Sequence, residues 1–355
     1  ENPNLNPAPD EIGVTFAYDI IGWSHSVESF LNIKTGSIWY FDNIFNNEII
    51  LPSQMNFTFE NIPEHQGFLL STEEYYLFEY TSPLISPLEF LLAYIPSNYF
   101  LKLYIPDDTD QFIWVPSISD YNVNVNLDNL QNTQLKIIQN IPSGVPLLSS
   151  KQKGYLNPGV HNEAGYIINI GTVADLEDVG LVLEIPDSLF SDYYSFTYFY
   201  ENFDFNVLSY HEIFGTLPTE FQYVNGEVEI INSDDHSIQI QTNGEFDAVY
   251  SEWTIEDGTW NVLSPPDVDM IILPDILNEL DFITEDSNID LVGVSLEEFP
   301  EIDSYSDYIG TEFEEHVYFW NVISEKRYRE FKNIEVPTQT PPKIEKQNRF
   351  SLRHN

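Results

Sequence analysis

The chain has 355 residues, no cysteine, and 58 acidic against 13 basic side chains, which gives a formal net charge of −45 at pH 7. The lack of cysteine excludes disulfides, thiolate metal sites and cysteine nucleophiles. Because binding to phosphate groups needs lysine and arginine, the composition argues against nucleic acid as a partner. Hydrophobic residues make up 42% of the chain and aromatic residues 15%, which predicts a packed core despite the charge.

The N-terminal segment 1–10 is polar and rich in asparagine and proline. We interpret it as the leader of a mature chain from which a secretion signal has been removed. No run of about 18 consecutive apolar residues occurs in the chain, so we expect no transmembrane segment. These features predict an extracellular protein or one on the outer cell surface.

Short apolar segments bounded by turn-forming residues recur along the chain, for example at 99–104, 121–127 and 166–170. Short helices are predicted only near 127–134, at 275–280 and at 305–313. Regularly spaced strands with little helix are typical of packed antiparallel sheets. We therefore predict a mostly β fold of tandem antiparallel β-sandwich (Ig-like) domains with few short helices.

The clearest local pattern lies between residues 218 and 264. Segments there alternate apolar and polar residues, and three dipeptides separate them: Asn225-Gly226, Asn243-Gly244 and Asp257-Gly258. Asn-Gly and Asp-Gly suit hairpin turns whose central residues need positive φ. The pattern predicts an antiparallel meander with turns at these dipeptides.

Composition predicts two domains between the leader and a C-terminal tail. One sandwich domain is predicted at 11–140 and a second at 163–325. Between them, 141–162 is rich in proline, glycine and serine, which is typical of an exposed linker. Residues 326–355 are basic and contain several prolines, which predicts an extended tail.

Most basic residues lie in that predicted tail. Its eight lysines and arginines are Lys326, Arg327, Arg329, Lys332, Lys343, Lys346, Arg349 and Arg353. The rest of the chain is too poor in cations to neutralise its own carboxylates. We therefore predict that the tail docks on an anionic surface or on the acidic body of a neighbouring copy.

A weak internal repeat relates the two halves of the chain. In one register, a first set of residues superposes on identical residues of a second set: Val27, Ser29, Ile33 and Gly36 on Val249, Ser251, Ile255 and Gly258. The same register superposes 49–52 on 271–274. We interpret the match as duplication of a β unit, and Trp39 and Trp260, near equivalent positions, are predicted to be core residues.

Calcium is the one cofactor that the residues suggest, because hard cations bind several oxygen ligands. Two acidic segments have candidate spacing: Asp286, Asn288 and Asp290 with Glu297, and Asp107, Asp108 and Asp110. The first matches EF-hand ligand positions, but Leu291 stands where that loop needs glycine. The alternative is that these acidic residues only solvate their turns.

Catalytic motifs are lacking, so no catalytic residue is predicted. The sequence has no G-x-S-x-G elbow, no phosphate-binding glycine loop and no H-E-x-x-H. A pair of carboxylates across a cleft, as in glycoside hydrolysis, stays open because the chain has too many acids to choose among.

The aromatic run at 193–200 is a candidate binding surface. If one face of this strand is buried, alternate rings are exposed: either Tyr194, Phe196, Tyr198 and Tyr200, or the opposite set. We select Tyr194, Tyr198 and Tyr200 as candidate contacts for a polysaccharide or a protein.

The segment Gly258-Thr259-Trp260, followed by the run 271–277, resembles a pattern in uncharacterised β-rich surface lipoproteins of Bacteroidetes type. The resemblance covers about residues 220–320. It implies an exported, envelope-associated and non-catalytic protein, with any lipid anchor outside this chain.

Together these features predict a non-catalytic cell-surface or extracellular protein with a binding or structural role. Its expected partner is another envelope protein, a neighbouring copy of itself or a polysaccharide. The alternatives are a secreted carboxylate-pair glycoside hydrolase and a calcium-dependent adhesin.

Overall fold

The computed structural model describes residues 11–20, 24–34, 53–73, 75–92, 96–106, 108–116, 120–158, 165–174, 180–186, 188–201, 207–255, 258–273, 289–300, 302–307, 309, 326–333 and 353–354. Most of these residues lie in strands that form several antiparallel sheets. The prediction of a mostly β fold is confirmed.

The strands, in chain order, are β1 (Glu11–Ile20), β2 (Ser24–Lys34), β3 (Ser53–Glu60), β4 (Gly67–Ser71), β5 (Tyr75–Glu79), β6 (Leu88–Leu92), β7 (Tyr99–Tyr104), β8 (Gln111–Val115), β9 (Asn122–Asn126), β10 (Gln131–Asn132), β11 (Gln134–Ile138), β12 (Leu147–Tyr155), β13 (Tyr166–Ala174), β14 (Leu181–Ile185), β15 (Asp192–Tyr200), β16 (Val207–Gly215), β17 (Asn225–Ser233), β18 (Ser237–Glu245), β19 (Ala248–Ile255), β20 (Gly258–Ser264), β21 (Met270–Ile272), β22 (Ile289–Glu298), β23 (Lys326–Asn333) and β24 (Arg353–His354).

Helical structure in the described residues is short. A 3-10 turn spans Leu127–Asn129, and the side chain of Asn126 caps it by accepting a hydrogen bond from the Asp128 amide. Residues 305–307 and 309 are helical, within the helix predicted at 305–313. The helix predicted at 275–280 lies outside the described residues. Within the described part of the chain, no helix has the length and apolar character needed to cross a membrane.

The chain divides into two compact units built from non-consecutive segments. Unit 1 contains Glu1–Asp42, Tyr198–Glu212 and Gln222–Gln339, and unit 2 contains Asn43–Thr197, Ile213–Phe221 and Thr340–Asn355. The repeat copy that begins at Val27 is therefore shared between the units, whereas its counterpart from Val249 lies within unit 1.

In unit 1, six strands follow one another in the order β1-β2-β20-β19-β22-β23. Neighbours are antiparallel except β2 and β20, which are parallel. Trp253 and Trp260 lie opposite each other on β19 and β20, and both are fully buried. The prediction that Trp260 is a core residue is confirmed, and Trp39 lies outside the described residues.

The predicted meander is replaced by two separate hairpins. β17 and β18 form one, and β21 extends it to three strands, whereas β19 and β20 belong to the larger sheet. The first hairpin turns at 234–236, not at an Asn-Gly pair, and the Asp234 amide donates to the Ser237 carbonyl across this turn. Gly226 and Gly244 face each other across the strands, and a Cβ on Gly244 would strike the backbone of β17. These two glycines therefore allow a close strand approach instead of forming turns.

Unit 2 contains a six-stranded sheet, β10-β8-β7-β4-β5-β24, and a three-stranded sheet, β6-β3-β9. Side chains of both sheets share one apolar cluster, which includes Met55, Phe57, Phe68, Leu70, Tyr99, Leu101 and Val125. The Phe57 and Tyr99 rings meet edge to face at 4.6 Å. Such burial is the main stabilising term for this unit.

Part of the predicted linker at 141–162 is a strand. β12 pairs with β13, and its residues alternate between buried and half-buried positions. Its inward positions include the polar residues Ser150 and Gln152, which are buried and hydrogen-bonded to each other. The sequence pattern did not indicate this strand, because its inward Ser150 and Gln152 are satisfied by hydrogen bonds and not by apolar contacts.

The described parts of the predicted tail are strands as well. Lys326–Asn333 forms β23, which pairs antiparallel with β22. Arg353 and His354 form β24, which pairs with Tyr76 and Tyr75 of β5. These segments take part in the sheets of their own units.

Candidate functional site

A lysine is buried in the middle of unit 2. Lys102 lies on β7 and has no solvent exposure. Its Nζ lies 3.1 Å from Asp110 Oδ2, and it donates hydrogen bonds to the Glu184 carbonyl at 2.6 Å and to Asn169 Oδ1 at 3.3 Å. We call Lys102, Asp110, Thr133, Asn169 and Glu184 the lysine cluster.

The hydrogen-bond partners of Lys102 match its charged form. Burial lowers the pKa of Lys102, and the carboxylates of Asp110 and Glu184 oppose that shift. All three oxygens around Nζ are acceptors, so the three N–H bonds of an ammonium group match them. The Tyr104 ring lies 5.0 Å from Nζ and adds a cation–π contact. We therefore assign a protonated Lys102.

Asp110 joins the lysine to the neighbouring backbone. Its Oδ1 accepts a hydrogen bond from the Ile105 amide at 3.1 Å, which closes the turn between β7 and β8. Burial raises the pKa of Asp110, and Lys102 opposes the shift. Loss of the Lys102 cation would leave the enclosed Asp110 carboxylate uncompensated, which would strongly destabilise the fold.

Glu184 holds the strand β14 to the cluster from a second side. Its Oε2 accepts hydrogen bonds from the Asp110 amide at 2.6 Å and from Thr133 Oγ1 at 2.9 Å. Thr133 immediately precedes β11, and its amide donates to the Asp110 carbonyl. Glu184 on β14 and Thr133 next to β11 both bind Asp110, and these hydrogen bonds fix β11 and β14 relative to the turn that follows β7.

A chain of buried amides and hydroxyls continues from the cluster. Asn169 Nδ2 donates to Gln152 Oε1 at 2.9 Å, and Gln152 Nε2 donates to Ser195 Oγ at 3.3 Å. Gln152 is fully buried and Ser195 nearly so. A polar network of this kind fixes one packing arrangement, because any shift leaves buried groups without partners.

In the two-stranded sheet of β11 and β14, the strand β14 has one buried and one exposed side, whereas β11 is exposed on both sides except at Ile138. Leu181, Leu183 and Ile185 of β14 point inward and are at most 6% exposed. On the other side, Leu135, Ile137 and Val182 are 61%, 52% and 55% exposed. Ile137 and Val182 are directly opposite, and Leu135 is opposite Glu184, so these side chains share one face. We call Leu135, Ile137 and Val182 the outer apolar face.

Sequence reasoning missed both features. The strand at 99–104 was predicted, but the lysine inside its apolar run was not recognised as a buried cation. The usable signal was a lone lysine between Leu101 and Leu103. The outer apolar face gives a weaker signal, because alternation of apolar residues normally indicates a buried side.

Only part of each predicted calcium-ligand set lies in the described residues. There, no group of three or more aspartate, glutamate or histidine side chains is arranged to hold a metal ion. Asp110 faces Lys102, Asp108 is exposed, Asp290 is exposed and Glu297 is fully buried. Asp107, Asp286 and Asn288 lie outside the described residues. Calcium binding stays a prediction.

The other predicted site residues are placed as follows. Tyr194, Tyr198 and Tyr200 lie on the half-buried side of β15, whereas Ser195, Thr197 and Phe199 are buried. The first of the two predicted alternations is therefore the more exposed one.

The predicted basic residues lie partly in strands. The strand β23 contains Lys326, Arg327, Arg329 and Lys332, and β24 contains Arg353. Lys343, Lys346 and Arg349 lie outside the described residues.

Comparison with known proteins gives no relative for this arrangement: no family model, curated protein or solved structure matches the chain. The site must therefore be interpreted from its own chemistry, as a buried ion cluster hydrogen-bonded to a small sheet that carries exposed aliphatic side chains.

Proposed function

We propose that the protein is a non-catalytic binding or structural component of the extracellular space or outer cell surface. In this proposal it engages another envelope protein through the outer apolar face. The observation that carries the proposal is the clustering of three aliphatic side chains, each more than half exposed, on one face of a sheet. Contiguous exposed apolar residues are typical of interaction sites.

The lysine cluster supports this role because it holds the sheet in place before a partner arrives. Lys102 binds the β14 backbone, and Glu184 binds Thr133 next to β11. A surface that is already ordered loses little conformational entropy on binding. Covering the three side chains would contribute on the order of a few kcal/mol.

The charge of the chain favours a basic partner. At a formal charge of −45, two copies repel each other at low ionic strength. A cationic protein gains attraction from the same field and associates faster. We therefore favour a different envelope protein over a neighbouring copy, and the docking role of the basic segment 326–355 remains a second part of the proposal.

Two further features belong to the proposal. The resemblance to surface lipoproteins and the polar N-terminal segment 1–10 support export. The apolar cluster shared by the six-stranded and three-stranded sheets supports a β-sandwich packing for unit 2.

The test compares a paired substitution on the face with a matched control. Immobilised wild type, Ile137→Ser/Val182→Ser and Ile85→Ser would be exposed to solubilised envelope proteins from the source cells. Ile85 is 56% exposed, close to the exposure of Ile137, but it lies outside the β11–β14 sheet. The proposal predicts a partner retained by wild type and Ile85→Ser, and lost about tenfold or more in the double variant. Equal retention by all three proteins would contradict it.

A further inference from the structure

The side chain of Lys102 lies between a carboxylate and a carboxamide. Its Nζ is 3.1 Å from Asp110 Oδ2 and 3.3 Å from Asn169 Oδ1. An amine, an amide carbonyl and a proton acceptor are the three groups needed to exchange one amide for another. All three lie in a site that excludes water around the nitrogen, because Lys102 has no solvent exposure.

We propose that Lys102 and Asn169 join through an autocatalytic amide cross-link between Nζ and Cγ. The new bond is Nζ–Cγ, and the bond that breaks is Cγ–Nδ2 of the carboxamide. Asp110 accepts one proton from the Lys102 ammonium, Nζ attacks Cγ, and a second proton passes from Nζ to Nδ2, which leaves as ammonia. The first proton then leaves Asp110 with the ammonia, as ammonium. The exchange changes no oxidation state and needs no other reactant.

The hydrogen bonds orient the two reacting side chains. Asn169 Nδ2 donates to Gln152 Oε1 at 2.9 Å, which turns the Asn169 oxygen toward Lys102. Gln152 is fully buried and bonded to Ser150 and Ser195, so it holds this orientation. Nζ lies 3.3 Å from Oδ1, the oxygen bonded to Cγ. For attack, Nζ moves from this hydrogen-bonding position to a position over Cγ, at the separation of about 3 to 3.5 Å from which attack proceeds.

Burial favours the proton transfer that precedes attack. It lowers the pKa of Lys102 and raises the pKa of Asp110, so the difference between the two pKa values becomes smaller. Lysine becomes a nucleophile when desolvation reduces its proton affinity. Asp110 then acts as the general base for Nζ.

Asn169 is the better electrophile of the two neighbours. Asp110 is paired with a cation, and a carboxylate anion resists attack by an amine, whereas a carboxamide carbonyl carries no charge. The topology also favours Asn169, because a bond from Lys102 to Asn169 would join β7 to β13, two strands that are far apart in sequence. A bond to Asp110 would close only the turn between β7 and β8. Closing a long loop restricts the unfolded chain more and stabilises the fold more.

The experiment is mass spectrometry of the full chain. We expect the intact wild-type protein to weigh less than its sequence by one ammonia, and Lys102→Arg to keep its full mass. Digestion with a glutamate-specific protease should then yield a branched peptide joining the segments that contain Lys102 and Asn169. Because the wild type itself is measured, the test does not depend on the folding of a variant.

Two alternative reactions are separated by the same data. Asn225-Gly226 and Asn243-Gly244 lose ammonia when they cyclise to a succinimide, so mass loss without the branched peptide overturns the proposal. Loss of one water with a Lys102–Asp110 branched peptide also overturns it, since the bond would then be at Asp110. An unmodified wild-type mass shows an ion pair without covalent chemistry and likewise contradicts it.

Discussion

Trp260 Nε1 donates a hydrogen bond to Ser29 Oγ at 3.0 Å, and both residues are buried. Trp253 Nε1 makes the same kind of bond to Ser251 at 3.1 Å. Ser29 and Ser251 are the two serines that the repeat register superposes, and they lie on β2 and β19, the strands that flank β20. The two indoles of unit 1 that the structure describes therefore each have a buried serine as acceptor.

Replacing Ser29 with alanine should destabilise unit 1 because it leaves the Trp260 N–H buried without an acceptor. The expected loss in free energy of unfolding is about 1 to 3 kcal/mol. Urea denaturation followed by tryptophan fluorescence measures it. Thr254→Ala is the control, since Thr254 is exposed and its hydrogen bond to the Asp290 carbonyl is long at 3.3 Å. A Ser29→Ala effect no larger than that of the control would show that the bond contributes nothing.

Removing the anion of the lysine cluster should be among the most damaging single changes in unit 2. Asp110→Ala removes the general base of the proposed cross-link, so Lys102 stays a buried ammonium group without a carboxylate beside it, which should cost about 3 to 5 kcal/mol. Asp108→Ala, two residues away on the same turn, removes an exposed carboxylate and should change stability by less than about 0.5 kcal/mol. Chemical denaturation of both variants provides the comparison. Similar losses for the two would show that Asp110 does not stabilise unit 2 through Lys102.

Acid should destabilise unit 1 through His211. Burial lowers the pKa of His211 from 6.5 to about 3, so the folded state keeps this histidine neutral where the unfolded chain protonates it. Between pH 6.5 and 3 the unfolded state therefore binds more protons, and stability falls as pH falls, by up to about 1.4 kcal/mol per pH unit.

The His211 contribution can be isolated by substitution. His211→Gln cannot gain a proton, so its loss of stability from pH 7 to pH 4 should be smaller than that of wild type. His236→Gln, which changes an exposed histidine, should follow the wild-type curve. Thermal melting of the three proteins across this range tests the prediction, and parallel curves for wild type and His211→Gln would refute it.

The outer apolar face should not be needed for folding. Ile137 and Val182 are 52% and 55% exposed, so serine at both positions removes little buried area. We expect Ile137→Ser/Val182→Ser to unfold within about 1 kcal/mol of wild type. By contrast, Leu183→Ser on the inner side should lose about 2 to 5 kcal/mol, because Leu183 is only 1% exposed. Denaturation curves of the two variants make the comparison.

Sequence patterns predicted the strands well where apolar residues form the inward side. The segments 99–104 and 166–170 are strands or parts of strands in the structure. Sequence patterns failed at β12, whose inward Ser150 and Gln152 are polar. These two side chains are hydrogen-bonded to each other, and Gln152 is also hydrogen-bonded to Asn169 and Ser195. Local composition does not indicate a hydrogen-bond partner that lies far along the chain.

The candidate site was harder to predict for a related reason. Lys102 obtains its partners from a turn and from β13 and β14, up to 82 residues away. Only the fold brings Asp110, Asn169 and Glu184 to one nitrogen. Likewise, Leu135 and Ile137 show ordinary strand alternation, and nothing local indicates that their side of the sheet is the exposed one.

The most direct test of the proposed binding role is photo-cross-linking from single positions in the source cells. A photoreactive amino acid at Ile137 should form a covalent adduct with one discrete protein, whereas the same amino acid at Ile85 should not. Both positions are about equally exposed, so accessibility alone cannot produce the difference. No adduct at Ile137, or the same adducts from both positions, would contradict a binding role for the outer apolar face.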